Sequence, residues 1–134
     1  MHHLSASQIS ELRRLLEDER AQLQARQATD EAEAVTADQE PGDTQDRASE
    51  EARRTTALRR RQRDEDRLGE VEAALRRMDD GSYGICAETD EEIPFPRLRA
   101  EPTTRYTVEA LEMLEDERSR AAIVGPTASE TEAY

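Results

Sequence analysis

At 134 residues, with 34% hydrophobic, 38% charged and 3% aromatic residues, the chain has the length of one domain but too little apolar content for a large core. A net charge of −13 excludes general nucleic-acid binding, so no direct sequence-specific DNA contact is expected and a basic protein is the natural partner. No apolar run approaches the ~18 residues that span a bilayer, MHHLSASQ lacks a signal peptide's apolar region, and one cysteine excludes a disulfide framework, so a cytoplasmic protein without membrane attachment is expected.

Such a composition fits either disorder or long helices that bury a narrow seam, and the periodicity favours helices. Ser5 and Gln8 have the spacing of a capping box, with Ser7 as an alternative cap. Ile9, Leu12, Leu16 and Leu23 then share one face, continued by the smaller Ala25, Ala28, Ala32 and Val35. A stripe this narrow suits a coiled-coil seam that is apolar at its base and thin towards its end. Pro41-Gly42 turns the chain. A second helix is predicted from Asp46 or Ser49 to about Asp80, with Leu68, Val71, Leu75 and Met78 on its apolar face.

If the helices fold back about Gly42, Leu16 lies beside Leu68, Leu12 beside Val71 and Ile9 beside Leu75. The apolar ends then meet at a base, and residues 38–48 form a tip roughly 45 Å away. Gly81 is placed to end the second helix. The stretch from Tyr83 to Thr104 reads as short extended pieces and turns, with Pro94, Pro96 and Pro102 barring a long helix. A third helix follows to about Ala122, ended by Gly125-Pro126, and the last residues are predicted to be a disordered tail. The expected division is residues 1–80 as N-terminal segment and hairpin, 81–106 as a small lobe, 107–123 as a C-terminal helix and 124–134 as tail. His2 and His3, at an end expected to fray, receive no role.

The segment GICAETDEEIPFPRLRAEP, from Gly84 to Pro102, resembles the DksA/TraR zinc-finger family of bacterial transcription factors, whose finger follows a YGxCxxCGxxIPxxRLxAxP pattern and closes with a second cysteine pair. The match runs through Tyr83, Gly84, Cys86, Ile93, Pro94, Arg97, Leu98, Ala100 and Pro102. The family's other three cysteines fall on Thr89, Thr107 and Ala110, so zinc is not expected and the finger is read as degenerate. Cys86 then reads as a relic or core thiol; a redox sensor would need a depressed pKa, which the neighbouring Glu88 and Asp90 oppose. The family's second hallmark, a DxxDxA motif at the coiled-coil tip, is matched by Asp43-Thr44-Gln45-Asp46-Arg47-Ala48. The resemblance spans roughly Ser7 to Arg118.

The resemblance implies a mainly α fold: an antiparallel coiled-coil hairpin, a small degenerate zinc-finger lobe and a C-terminal helix. It implies a monomeric, non-enzymatic regulator of transcription that binds RNA polymerase and inserts the hairpin tip into the secondary channel, where Asp43, Asp46 and Ala48 act near the active site. Taken alone, the two aspartates are equally a solvated turn and a helix cap. The acid-free run containing Arg53, Arg54, Arg59, Arg60, Arg61 and Arg63 has two readings: pairing with Asp30 and Glu31 across the hairpin, or contact of Arg59, Arg60 and Arg63 with polymerase or the alarmone ppGpp, which some members bind. Arg67 and Glu70 stand where the family pattern has an apolar residue and a lysine, which counts against ppGpp. The alternative is a coiled-coil interaction or assembly protein with no role at the polymerase active site.

Overall fold

The computed structural model describes the backbone of residues 1–37 and 44–132 and the side chains of 1–35 and 46–122. Four helices follow in order: α1 (Ala6–Ala37), α2 (Thr44–Asp80), α3 (Phe95–Ala100) and α4 (Val108–Glu132). The capping box opens α1, with the Ser5 N–H donating to Gln8 Oε1 at 2.9 Å and the Gln8 N–H to Ser5 Oγ at 3.1 Å. These reciprocal bonds satisfy backbone donors that the first helical turn would otherwise leave orphaned.

α1 and α2 pack against each other as an antiparallel hairpin. Leu12 and Leu16 on α1 and Val71 and Ala74 on α2 are fully buried, with Leu23, Leu75 and Met78 nearly so. Ile9 and Leu68 flank them, so the apolar stripes expected to meet belong to one cluster. Each leucine withdrawn from water there contributes about 1.5–3 kcal/mol. The same cluster continues through Leu4, Tyr83, Cys86, Ile93, Leu98 and Ala110 into the lobe, so hairpin base and lobe share one core.

The lobe is built from turns rather than sheet. Among the described residues its only β pairing is an isolated antiparallel bridge, Ile85 with Glu92. Gly81 and Gly84 take positive φ, 84° and 82°. Asp90, with φ 58°, occupies the left-handed position where the finger pattern has glycine; aspartate tolerates that region better than most residues. The buried Tyr83 donates its hydroxyl to the Pro102 carbonyl at 2.7 Å, tying the two ends of the lobe together. Burial pushes its phenol pKa up to about 12.

Helix bounds differ from expectation in three places. α2 starts at Thr44, so Asp46 lies inside its first turn and is not its cap. A six-residue helix, α3, occupies part of the stretch expected to be extended; Pro96 is tolerated because the first helical turn has no N–H bond to lose. α4 continues through Gly125-Pro126 to Glu132, past the predicted stop at Ala122 and into the expected tail. Proline's fixed φ is compatible with a helix, but Pro126 has no N–H to donate, so the hydrogen-bond ladder of α4 loses a rung there. Among the described residues α4 packs along no other helix: Ala110 is buried against the lobe, while Val108 and Met113 are exposed.

Candidate functional site: hairpin tip, arginine face and finger lobe

Asp46 and Ala48 project into solvent from the first turns of α2, where a carboxylate faces the positive end of the helix dipole. Asp43 lies outside the described residues. α1, with 32 residues, is about 48 Å long, which sets the distance between this end and the lobe.

Below the tip the hairpin is held by charge. Asp30, 5% exposed, is the only buried residue of the described shaft above Leu23. Its carboxylate pairs with the Arg60 guanidinium, and its carbonyl accepts from Arg61 Nη2 at 2.7 Å. Arg26 meets Asp64 at 3.3 Å. A fold about Gly42 would set Asp30 level with Arg54, yet its partner is Arg60. Side chains lean towards the N-terminus of their own helix, which is the base on α1 and the tip on α2, so a long arginine on α2 meets an α1 residue above its own level.

Of the three arginines singled out as partner contacts, Arg60 is thus engaged within the hairpin. Arg59 and Arg63 are exposed and make no ion pair among the described residues. Arg53, Thr56, Arg60 and Arg63 line one open groove on α2. Arg67 and Glu70 pair with each other at 3.3 Å. Arg67 also grips Glu19 through two bonds of 2.6 and 3.0 Å and reaches Thr103 Oγ1 at 2.9 Å. The Glu19 bond is the main cause of its raised pKa. One side chain therefore joins α1, α2 and the lobe, a role the sequence did not show.

The lobe is fixed to the base by further polar links. Arg77 Nη2 donates to the Thr103 carbonyl at 3.2 Å, and Arg99 meets Glu11 at 3.3 Å. His3, expected to fray, instead bonds the Ile93 carbonyl through Nε2 at 2.8 Å, while Leu4 beside it is buried. Both touch Gly84: a Cβ there would lie 3.1 Å from His3 Cε1 and 3.4 Å from Leu4 Cδ1. The glycine that the finger pattern requires thus leaves room for the N-terminal segment.

The four finger positions converge. Cys86, Thr107 and Ala110 are all buried. The Thr107 N–H and hydroxyl both donate to Cys86 Sγ, at 3.5 and 3.9 Å. Thr107 Oγ1 in turn accepts the Ala110 N–H at 3.2 Å and so caps α4. Burial pushes the Cys86 thiol pKa up, but the Thr89 hydroxyl and the N–H groups of Thr107, Thr89 and Glu88 outweigh it and bring it down to about 7. The expected opposition from Glu88 and Asp90 is overcome because backbone donors sit on the sulfur, whereas acidic side chains exposed to water are screened.

A family model described as the prokaryotic dksA/traR C4-type zinc finger matches residues 81–115. Over 70 residues the chain is 49% identical to the RNA polymerase-binding transcription factor DksA of Caulobacter vibrioides, covering 52% of this chain and 49% of that protein. It is 29% identical over 115 residues to the protein of the same name from Escherichia coli, covering 84% of this chain and 75% of that one. The solved structure of transcription factor DksA2 from Pseudomonas aeruginosa superposes with a TM-score of 0.77 and 35% identity, covering 86% of this chain and 88% of that one. The match to the Caulobacter protein thus spans about half of its length.

The finger match corrects the expectation that zinc plays no part: the matched family is a C4-type zinc finger, which points to zinc binding. This chain supplies Cys86 alone of the four thiols, and no group of three or more His, Cys, Asp or Glu among the described residues could hold a metal. The residues present do not fit a four-thiolate site. No described helix is long and apolar enough to cross a membrane.

Proposed function

This chain belongs to the DksA/TraR family, and from that premise we propose that it is a cytoplasmic, non-enzymatic transcription regulator that binds RNA polymerase. The hairpin enters the secondary channel, and Asp43, Asp46 and Ala48 act near the active site to modulate initiation. What carries the reading is the exposure of Asp46 and Ala48 at the end of a shaft whose base is locked to the lobe. The lobe and α4 dock on the outside of the enzyme, where Val108 and Met113 lie open. Arg59 and Arg63 face acidic surface of the partner. Neither step reads a DNA sequence.

The relatives from Caulobacter and Escherichia coli are named for binding RNA polymerase, which supports the choice of partner. An assembly coiled coil would offer its leucines to a second chain, but here Leu12, Leu16 and Leu75 are already buried within one. That burial supports a monomer. Titration of the fluorescently labelled full chain with purified RNA polymerase should give saturable binding that unlabelled chain displaces. Absence of binding in that titration would sink the reading.

A further inference from the structure

Between the two helices, just above Leu23 and Leu68, lies a cavity of about 110 Å³ whose lining includes Gln27, Asp30, Arg61 and Asp64. Arg61 Nε and Asp64 Oδ2 are buried without a hydrogen-bond partner in the protein. We infer that the shaft carries a hydrated polar joint at this level, at which the distal arm opens and bends while the base stays closed.

Water is the occupant the lining selects. One orphan is a donor and the other an acceptor; an anion would meet the carboxylates of Asp30, Glu31, Asp64 and Glu65, and a cation would leave Arg61 unsatisfied where no group among the described residues could hold a metal. Water serves both once the helices part enough to admit it, since one molecule can donate to Asp64 and accept from Arg61. Because the lining is charged, admitting water here removes the cost of two buried unsatisfied groups, whereas an apolar cavity of this size would stay dry.

The mechanical consequence follows from what separation exposes. Parting the helices at Leu12 and Val71 brings apolar surface into water. At the joint, parting gives two unsatisfied buried groups their bonds to water. Beyond it, the described arm has no buried apolar side chain to resist opening. The free energy of local opening should therefore drop abruptly at this level. The inference does not depend on what the tip binds.

Hydrogen exchange of the full chain, followed by mass spectrometry, tests it. In wild type, amides of 24–35 and 46–60 should exchange much faster than those of 9–23 and 68–78, with the boundary at the joint. Replacing both side chains by apolar groups, Arg61→Leu with Asp64→Leu, gives up the Arg26–Asp64 pair and the Arg61 bond but extends the buried seam by one layer, and should slow distal exchange by about tenfold. A second reading needs no variant: near 1 M salt, where the Debye length is about 3 Å, distal exchange should accelerate while basal exchange holds. Equal protection above and below the joint, a salt response common to both, or a folded monomeric double variant with its boundary unmoved would each overturn the joint.

Discussion

Between Ile9 and Leu23, α1 meets α2 through Leu12, Leu16, Val71 and Leu75; between Gln24 and Val35 the one buried side chain of α1 is the carboxylate of Asp30. The lower half resists opening because its separation exposes apolar surface, and salt leaves that term almost untouched. The upper half rests on charges that water and salt compete for. On the proposed function, one helical hairpin serves as anchor and probe: the base shares its core with the lobe, while the arm is polar and carries no buried apolar side chain.

The largest expected effect lies at the base. Leu12→Ala should cost about 3 kcal/mol in urea unfolding, from lost transfer energy and the cavity left behind. Leu58→Ala, at a side chain 55% exposed on the upper arm, should change stability by less than about 0.5 kcal/mol. Equal costs at the two positions would break the comparison.

Gly84→Ala should destabilise by about 2 kcal/mol, combining left-handed strain with the collision against His3 and Leu4. Gly81→Ala shares the strain but meets nothing within 4 Å, and should cost about 1 kcal/mol. Thermal denaturation that ranks the two alike would remove the N-terminal segment from the anchored half.

Asp30→Ala should cost about 1 kcal/mol, because Arg60 stays half in water after losing its partner. The loss should appear as faster amide exchange in the arm, with the global urea midpoint nearly unmoved.

At neutral pH the smallest effect concerns the Cys86 thiol, whose pKa is lowered to about 7. Its folded value lies below the ordinary one, so the thiolate stabilises the fold fully above the unfolded pKa of about 8.5, and that contribution is lost as pH falls through about 7. The stability difference between wild type and Cys86→Ser should therefore grow from about pH 6 to about pH 9. Ultraviolet titration of the thiolate should show its midpoint near 7, and an ordinary midpoint would place the sulfur outside its ring of N–H donors.

Much of this division was legible in the sequence. The apolar spacing of Ile9, Leu12, Leu16, Leu68, Val71 and Leu75 gave the base, since a seam between two helices imposes periodicity on both. Ser5 and Gln8 gave the start of α1, because a capping box is local. The partner of Asp30 was not legible, as the reach and lean of arginine decouple ion pairs from backbone level. The same holds for Arg67, whose bonds to Glu19 and Thr103 join distant parts of the chain. The place of His3 was not legible because two histidines at a terminus carry no pattern; it comes from the space over Gly84 and the bond to the Ile93 carbonyl. The pKa of Cys86 went the other way from the sequence expectation because the deciding groups are backbone N–H, which no residue letter reports.

The central claim is that a stiff base aims carboxylates carried on the tip. Its most direct test is transcription in vitro with purified RNA polymerase, comparing wild type with Asp43→Asn/Asp46→Asn at concentrations giving equal occupancy. The account predicts that the double variant still binds through lobe, base and α4 but loses the effect on initiation. A double variant that binds equally and regulates as wild type does would contradict it.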